Sequence, residues 1–362
     1  MFHSIQAGRA IAALAVAAFH LSLTMETTRY YGASPFGNWT GPGHLGVDFF
    51  FVLSGFIILF AHREDIDQPG RLGGYLFKRG VRIYPIYLLY TLGLTALLLL
   101  GFGSGTDLPS TWQGWASTLL LLRFSEENPP IGVAWTLFHE VLFYLAFAAF
   151  LIKRRLGIVV FTGWLALILV QLYLHPETTS EANVIASPYN LNFFAGMAAF
   201  CLYRYGSPAA CRFALATGLA VLCTAGLIAF HEGGISTYLR VVLAIGFAAL
   251  IPGTLRFEEQ RRFPQMRLLT LVGDASYSLY LLHLALQGLL LKVSLKLDLA
   301  QGLGLGGVYL LVFAASSAAA CVAYLLVEKP LLGYLRSRYR GGWRPRAEVA
   351  LQLQGNQGRG RR

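Results

Sequence analysis

The stretch His44-Leu45-Gly46-Val47-Asp48-Phe49-Phe50-Phe51-Val52-Leu53-Ser54-Gly55-Phe56-Ile57-Ile58-Leu59-Phe60-Ala61 decides the fold class. It is too long and too continuously apolar for a strand, and it approaches the ~20 residues that cross a hydrocarbon core as helix. Working outward, similar runs occur at about 5–24, 84–101, 134–152, 157–174, 189–204, 212–230, 238–252, 268–291 and 303–327. Backbone polar groups inside a bilayer have to be satisfied within each segment. The expected fold is therefore all-α: a polytopic integral membrane helix bundle of about 10 transmembrane helices. The run at 5–24 contains Arg9 and His20, unlike the core of a signal peptide, and reads as a first transmembrane helix. The polar stretch from Gly103 to Pro130, with Trp112 and Trp115, has room for an interfacial helix.

Composition agrees. Of 362 residues, 56% are hydrophobic and only 13% charged, too little charge for the surface of two soluble domains. Collagenous, disordered and disulfide-scaffold classes are excluded as well. Cys201, Cys211, Cys223 and Cys321 lie in or beside apolar runs and read as small core residues. The net charge of +11 is concentrated at the end, where residues 336–362 carry eight arginines and one glutamate. The remaining excess falls in alternate loops, the pattern of membrane topology and not of a nucleic-acid-binding face. Arg63, Arg71, Lys78, Arg79 and Arg82 occupy the loop at 62–83, and Lys153, Arg154 and Arg155 the next basic one. Then come Arg204 and Arg212, followed by Arg256, Arg261, Arg262 and Arg267. Arg29, Arg123, Arg240, Lys292 and Lys296 lie in the opposite loops. An even helix count with both termini cytoplasmic satisfies this pattern. The chain divides into a transmembrane domain at 1–335 and an Arg-rich cytoplasmic tail at 336–362, expected to be disordered. No internal repeat joins the halves, which weighs modestly against a secondary transporter.

Ionisable groups inside a bilayer are costly, so each is a candidate for function. Arg9 and His20 are eleven residues apart, close to a whole number of helical turns, which puts them on one face with a rise of roughly 16 Å. Asp48 is expected at about the depth of His20. It either accepts a hydrogen bond from the imidazole, as a general base requires, or sits at a helix N-terminus favoured by the macrodipole. In Trp135-Thr136-Leu137-Phe138-His139-Glu140-Val141-Leu142-Phe143-Tyr144, the second histidine of a zinc-binding H-E-x-x-H falls at Phe143, and the zinc reading fails. Glu140 is then a buried carboxylate on the outer side, for an acceptor hydroxyl, a histidine or a helix contact. Ser276, Tyr277, Ser278 and Tyr280 precede His283 on a late helix. Lys78, Arg79 and Arg82 sit just before Tyr84-Pro85 as ordinary positive-inside residues or as a phosphate-binding cluster. Glu328-Lys329-Pro330 ends the last helix.

Taken in order, these blocks resemble the integral-membrane acyltransferase 3 family, which includes O-acetyltransferases of bacterial polysaccharides. The resemblance is carried by Arg9 and His20, by Gly46-Val47-Asp48 through Ser54-Gly55, and by Phe77 to Pro85. It continues in Trp135 to Tyr144, in Ser276-Tyr277-Ser278-Leu279-Tyr280 with His283, and in Glu328-Lys329-Pro330. The opening His3-Ser4-Ile5-Gln6 and Arg9-Ala10-Ile11-Ala12-Ala13-Leu14 is most similar to the exopolysaccharide branch. Gly8 stands where a leucine is more usual, and His139 where an apolar residue is.

The resemblance implies transfer of an acyl group, most often acetyl, from cytoplasmic acyl-CoA to a hydroxyl of a cell-surface or exopolysaccharide sugar. The protein would be a multi-pass acyltransferase of the bacterial inner membrane. Arg9, Lys78, Arg79 and Arg82 would hold the CoA phosphates, and His20, oriented by Asp48, would act as base. Glu140 and His283 would serve the acceptor or the developing oxyanion, with Trp135, Ser276 and Tyr277 as further substrate-binding residues. No permanently bound cofactor and no metal are expected. Acyl-CoA is the donor substrate, the acceptor is a polysaccharide or lipid-linked oligosaccharide, and the other partners are membrane lipid and polysaccharide-assembly proteins. The competing readings are a proton-coupled transporter or flippase, for which buried histidines and carboxylates form a relay, and an unrelated membrane O-acyltransferase.

Overall fold

A computed structural model describes residues 2–101, 108–174, 183–232, 236–260 and 266–338. All regular structure among them is helical. The long helices are α1 (His3–Glu26), α2 (Gly46–His62), α3 (Leu72–Leu99), the short α4 (Trp112–Leu120), α5 (Trp135–Ile152), α6 (Arg154–Leu174) and α7 (Leu191–Tyr205). They continue with α8 (Pro208–Glu232), α9 (Thr237–Glu259), α10 (Arg267–Asp274), α11 (Ser276–Lys296), α12 (Leu299–Ala323) and α13 (Lys329–Arg338).

Nine spans among the described residues are long and apolar enough to cross a membrane. The difference from ten is α7. With 15 residues it is short of a full span, and it packs between α2 and α9. Small residues let these backbones meet, as in other tightly crossing membrane helices. A Cβ on Gly196 would lie 1.9 Å from the Val52 carbonyl oxygen, and one on Gly55 2.2 Å from that of Phe193. Because backbone, and not a flexible side-chain tip, occupies the space, Gly196→Val is expected to cost about 3 kcal/mol or more. Thermal denaturation in detergent measures this, and an unchanged midpoint would remove the close-approach account.

Three expected boundaries move. The basic segment at 62–83 is not a loop throughout, because α3 begins at Leu72 and runs through Pro85. A transmembrane helix tolerates an internal proline when neighbours re-satisfy the freed carbonyl. The basic block therefore has helical spacing: Arg79 and Arg82 are about 60° apart around the helix, and Lys78, four residues before Arg82, lies about 40° from it. The run at 268–291 is broken at Ala275 into α10 and α11, with Gly273 against the backbone of Gln6. Residues Arg336 to Arg338, assigned to the tail, belong to α13. The rest of the expected disordered tail lies outside the described residues. Cys201 and Cys223 face outward rather than into the core, whereas Cys211 is buried, and all four cysteines are free.

Cross-helix capping ties the ends together. Glu258 near the end of α9 accepts the backbone N–H groups of His3 at 2.5 Å and Ser4 at 2.9 Å, and the Ser4 hydroxyl at 2.6 Å. It satisfies donors that a helix start leaves open and sets the start of α1 level with the end of α9. The interfacial helix exists as α4, with Trp112 exposed. It is stitched to α3 by the Tyr84 and Tyr87 hydroxyls donating to the carbonyls of Leu120 and Thr118. The Ser110 and Thr111 hydroxyls just before it donate to Glu127 in the loop after it and hold that carboxyl below the usual range.

Candidate active site

The first helix meets α11 along a polar seam. Ser276, His283 and Gln287 are spaced by seven and four residues, which places them on one helical face. Opposite them, the Arg9 guanidinium donates to the Ser276 hydroxyl (Nη2 to Oγ, 2.8 Å). Gln287 donates to the Ala17 carbonyl at 2.8 Å, and His20 Nδ1 lies 3.1 Å from His283 Nε2. The helix-face argument from Arg9 and His20 thus describes the seam well, but the partner of His20 differs from the one expected.

Asp48 does not reach His20. Fully buried near the start of α2, it accepts from Arg240 Nη1 at 2.5 Å and from the Asn192 side-chain amide at 2.8 Å. Arg240, read from the sequence as an outer-loop charge, is inside α9 and lies 4.4 Å over the Tyr189 ring. A buried carboxylate takes the strongest available donor, and the arginine that helix packing brings to it is more than 190 residues away. Trp135 packs edge-to-face against Tyr189 and His139, with centroids 5.0 and 5.7 Å apart. His139 is buried and bonds Asn190 through Nδ1 at 3.0 Å.

A cavity opens among α1, α2, α3, α5 and α11. Arg9, Arg79, Arg82, Glu140, Ser276 and Tyr277 line it, facing an apolar wall from α2. Lys78 is not among its lining residues. Glu140 was expected on the outer side; instead it shares this cavity with the arginines, because α5 carries it inward from Trp135. There it accepts from the Ser54 hydroxyl at 3.2 Å and from the Tyr144 hydroxyl. The Arg79 guanidinium lies 5.7 Å over the Tyr144 ring, and its buried Nε has no hydrogen-bond partner among the described residues. Arg82 packs over Tyr277 at 5.4 Å and approaches Glu328 at 3.7 Å. Glu328 sits in a π-helical turn, Tyr324–Glu328, and also accepts from the Ser278 hydroxyl at 2.7 Å.

At its far end the cavity meets Phe50, Thr136 and Tyr280. The Tyr280 and Thr136 hydroxyls are 3.0 Å apart, and the Tyr280 ring lies 6.0 Å from His283. The cationic cavity and the histidine pair are therefore neighbours along α11, separated by one aromatic layer. Sequence reasoning missed Arg240, Asn192, Tyr144 and Ser54. Ser54 and Tyr144 lie within the motif blocks that carry the resemblance, and Arg240 next to a hydrophobic run, whereas Asn192 carried no signal. No group of acidic, histidine or cysteine side chains among the described residues is arranged to hold a metal ion.

The interior of this helical bundle brings guanidiniums and a histidine pair together, and the chain belongs to the acyltransferase 3 family. The model of the acyltransferase 3 family, described as an acyltransferase domain, matches residues 2–327. Among its relatives is the exopolysaccharide production protein ExoZ of Rhizobium meliloti (strain 1021). The two are 28% identical over 319 residues, which cover 85% of this chain and 96% of the relative. No solved structure matches.

Proposed function

We propose that this protein moves an acetyl group from cytoplasmic acetyl-CoA to a hydroxyl of an exopolysaccharide sugar or its lipid-linked precursor at the bacterial inner membrane. The observation that carries the reading is the cavity in which Arg9, Arg79 and Arg82 converge, with the buried Arg79 Nε unmatched. A buried guanidinium without an acceptor is costly, and phosphate oxygens satisfy it in bidentate geometry. The relative's role in exopolysaccharide production supports a sugar as acceptor.

In this reading Arg9, Arg79 and Arg82 bind the phosphates of CoA, with Lys78 adding positive charge at the mouth. Ser276 holds Arg9, and the Tyr277 ring and Glu328 hold Arg82. Glu140 offers an acceptor to donor groups in the cavity wall and offsets the arginines when the cavity is empty. The pantetheine arm follows α1 outward over roughly 16 Å, the rise from Arg9 to His20, and passes the Phe50–Tyr280 layer. His20 takes the proton of the sugar hydroxyl as its oxygen attacks the thioester carbonyl. The tetrahedral intermediate collapses by C–S cleavage, and the departing thiolate recovers the proton from the imidazolium. Asp48, paired with Arg240, secures the outer ends of α2 and α9 beside Trp135 and Tyr189, whose rings offer faces to the acceptor.

Purified protein with labelled acetyl-CoA and a panel of lipid-linked oligosaccharides and polysaccharides tests the reading. Label on a sugar hydroxyl with stoichiometric CoA release is expected. Acceptor movement into vesicles without any acyl donor, and no CoA release, would replace it with transport. Arg79→Ala is expected to weaken CoA binding by roughly 10- to 100-fold, the value of one charge-assisted hydrogen bond. Calorimetry with CoA measures it, and unchanged affinity would take the phosphates out of this cavity.

A further inference from the structure

A general base needs its lone pair on one defined nitrogen, and the hydrogen bonds of the other nitrogen set which one that is. Around His20 and His283 those bonds are unusually restrictive. His283 is fully buried, and its Nδ1 faces two backbone carbonyls, Tyr280 O at 2.7 Å and Leu279 O at 3.1 Å. A carbonyl oxygen only accepts, so Nδ1 carries a hydrogen. A neutral imidazole has one N–H, and Nε2 of His283 therefore presents a lone pair to His20 Nδ1 at 3.1 Å.

The same logic then applies one residue further on. His20 Nδ1 also has the Val16 carbonyl at 3.0 Å. Both of its neighbours are acceptors, so it carries a hydrogen shared between them, and the remaining lone pair of His20 is on Nε2. The opposite tautomers would set two nitrogen lone pairs against three carbonyl oxygens. A protonated His283 would bury a charge whose only hydrogen-bond neighbours are two carbonyls and an imidazole, which the interior disfavours.

We propose that His283 is a positioning residue for His20: it fixes the tautomer and the ring orientation that leave Nε2 as the basic nitrogen. It takes the part that a carboxylate plays in a serine–histidine–aspartate triad, while Asp48 is committed to Arg240 and Asn192. The inference rests on the reading of His20 as the base. A neutral orienting group has a chemical consequence. When His20 Nε2 takes the hydroxyl proton, the imidazolium keeps its Nδ1–H on His283 Nε2 and gains no counter-ion. It therefore gives the proton up readily to the departing CoA thiolate, which restores the starting tautomer.

Two measurements test this on the full-length protein in nanodiscs. The first is nitrogen NMR of histidine-labelled protein, with His20 and His283 assigned through their glutamine variants. Both rings are expected as the Nδ1–H tautomer, and a hydrogen on Nε2 of either neutral ring would overturn the proposal. The second is acetyl transfer. His283→Gln keeps an acceptor for the His20 N–H and is expected to hold kcat within about tenfold of wild type. His283→Leu removes the acceptor and is expected to lower kcat by about 100-fold with the KM for acetyl-CoA unchanged. Equal losses in the two variants, or no loss in His283→Leu, would overturn it. Should His283→Leu fail to fold, the glutamine variant and the wild-type spectrum still decide. If His20→Ala transfers as well as wild type, the base assignment itself fails, and the tautomer spectrum continues to judge the pair on its own.

Discussion

Substituting His20 with alanine is expected to lower kcat for acyl transfer by about 10³-fold, within the range that a positioned general base contributes. The imidazole sits two-thirds of the way along α1, half-buried, and its hydrogen-bonding contacts are the Val16 carbonyl and His283. Of these only the His283 contact crosses to another helix, and Arg9, Gln287 and the Glu258 cap tie α1 to the bundle independently of it. The variant is therefore expected to elute and melt as the wild type does and to bind CoA with the same affinity, since the arginines proposed to hold the CoA phosphates line the cavity and His20 does not. Single-turnover assays with saturating acetyl-CoA separate chemistry from binding. Transfer within tenfold of wild type would take His20 out of the chemical step, and a loss of CoA affinity would mean that it shapes the donor cavity instead.

The largest stability effect is expected at Asp48 and Arg240. Removing one member of a buried ion pair leaves the other charged and unmatched, at a cost of about 3–5 kcal/mol. Arg240→Ala leaves Asp48 with the Asn192 amide alone and strips the cation from the face of Tyr189. Asp48→Asn leaves Arg240 buried without its carboxylate. Both single variants should lower the denaturation midpoint in detergent markedly. The double substitution Asp48→Asn with Arg240→Leu removes both charges, and its loss should be smaller than the sum of the two. If Asp48→Asn keeps the wild-type midpoint but abolishes transfer, the carboxylate acts in the chemistry and not through Arg240.

Much of the molecule was legible in the order of residues. Apolar run length specified a helical membrane bundle because a bilayer leaves the backbone no other partner. The eleven-residue spacing of Arg9 and His20 specified one shared face because helical geometry is periodic. The motif series, read as a resemblance to the acyltransferase 3 family, agrees with the family match. What was misread involved distance along the chain or the depth of a side chain within a span. The apolar run from residue 84 put the basic block in a loop, yet α3 begins at Leu72 and passes through Pro85, which brings Arg79 and Arg82 to the cavity on a helix. Glu140 was assigned to the outer side from the start of its helix, but the cavity reaches up to meet it.

The sequence by itself thus determined the class of fold, the family, and which side chains are too costly to be buried idly. Only the tertiary structure decided who pairs with whom. Asp48 is not level with His20, since Gly46 just before it packs on Ala12 and Val16 and Phe49 just after it on Gly8, and position along one helix does not say which neighbour faces it. Packing of α2 against α7 and α9 delivers Asn192 and Arg240 to that carboxylate, and packing of α1 against α11 delivers His283 to His20. The reason is physical: periodicity along one helix sets faces and heights, whereas hydrogen-bond partners in a bilayer come from the helices that close on those faces.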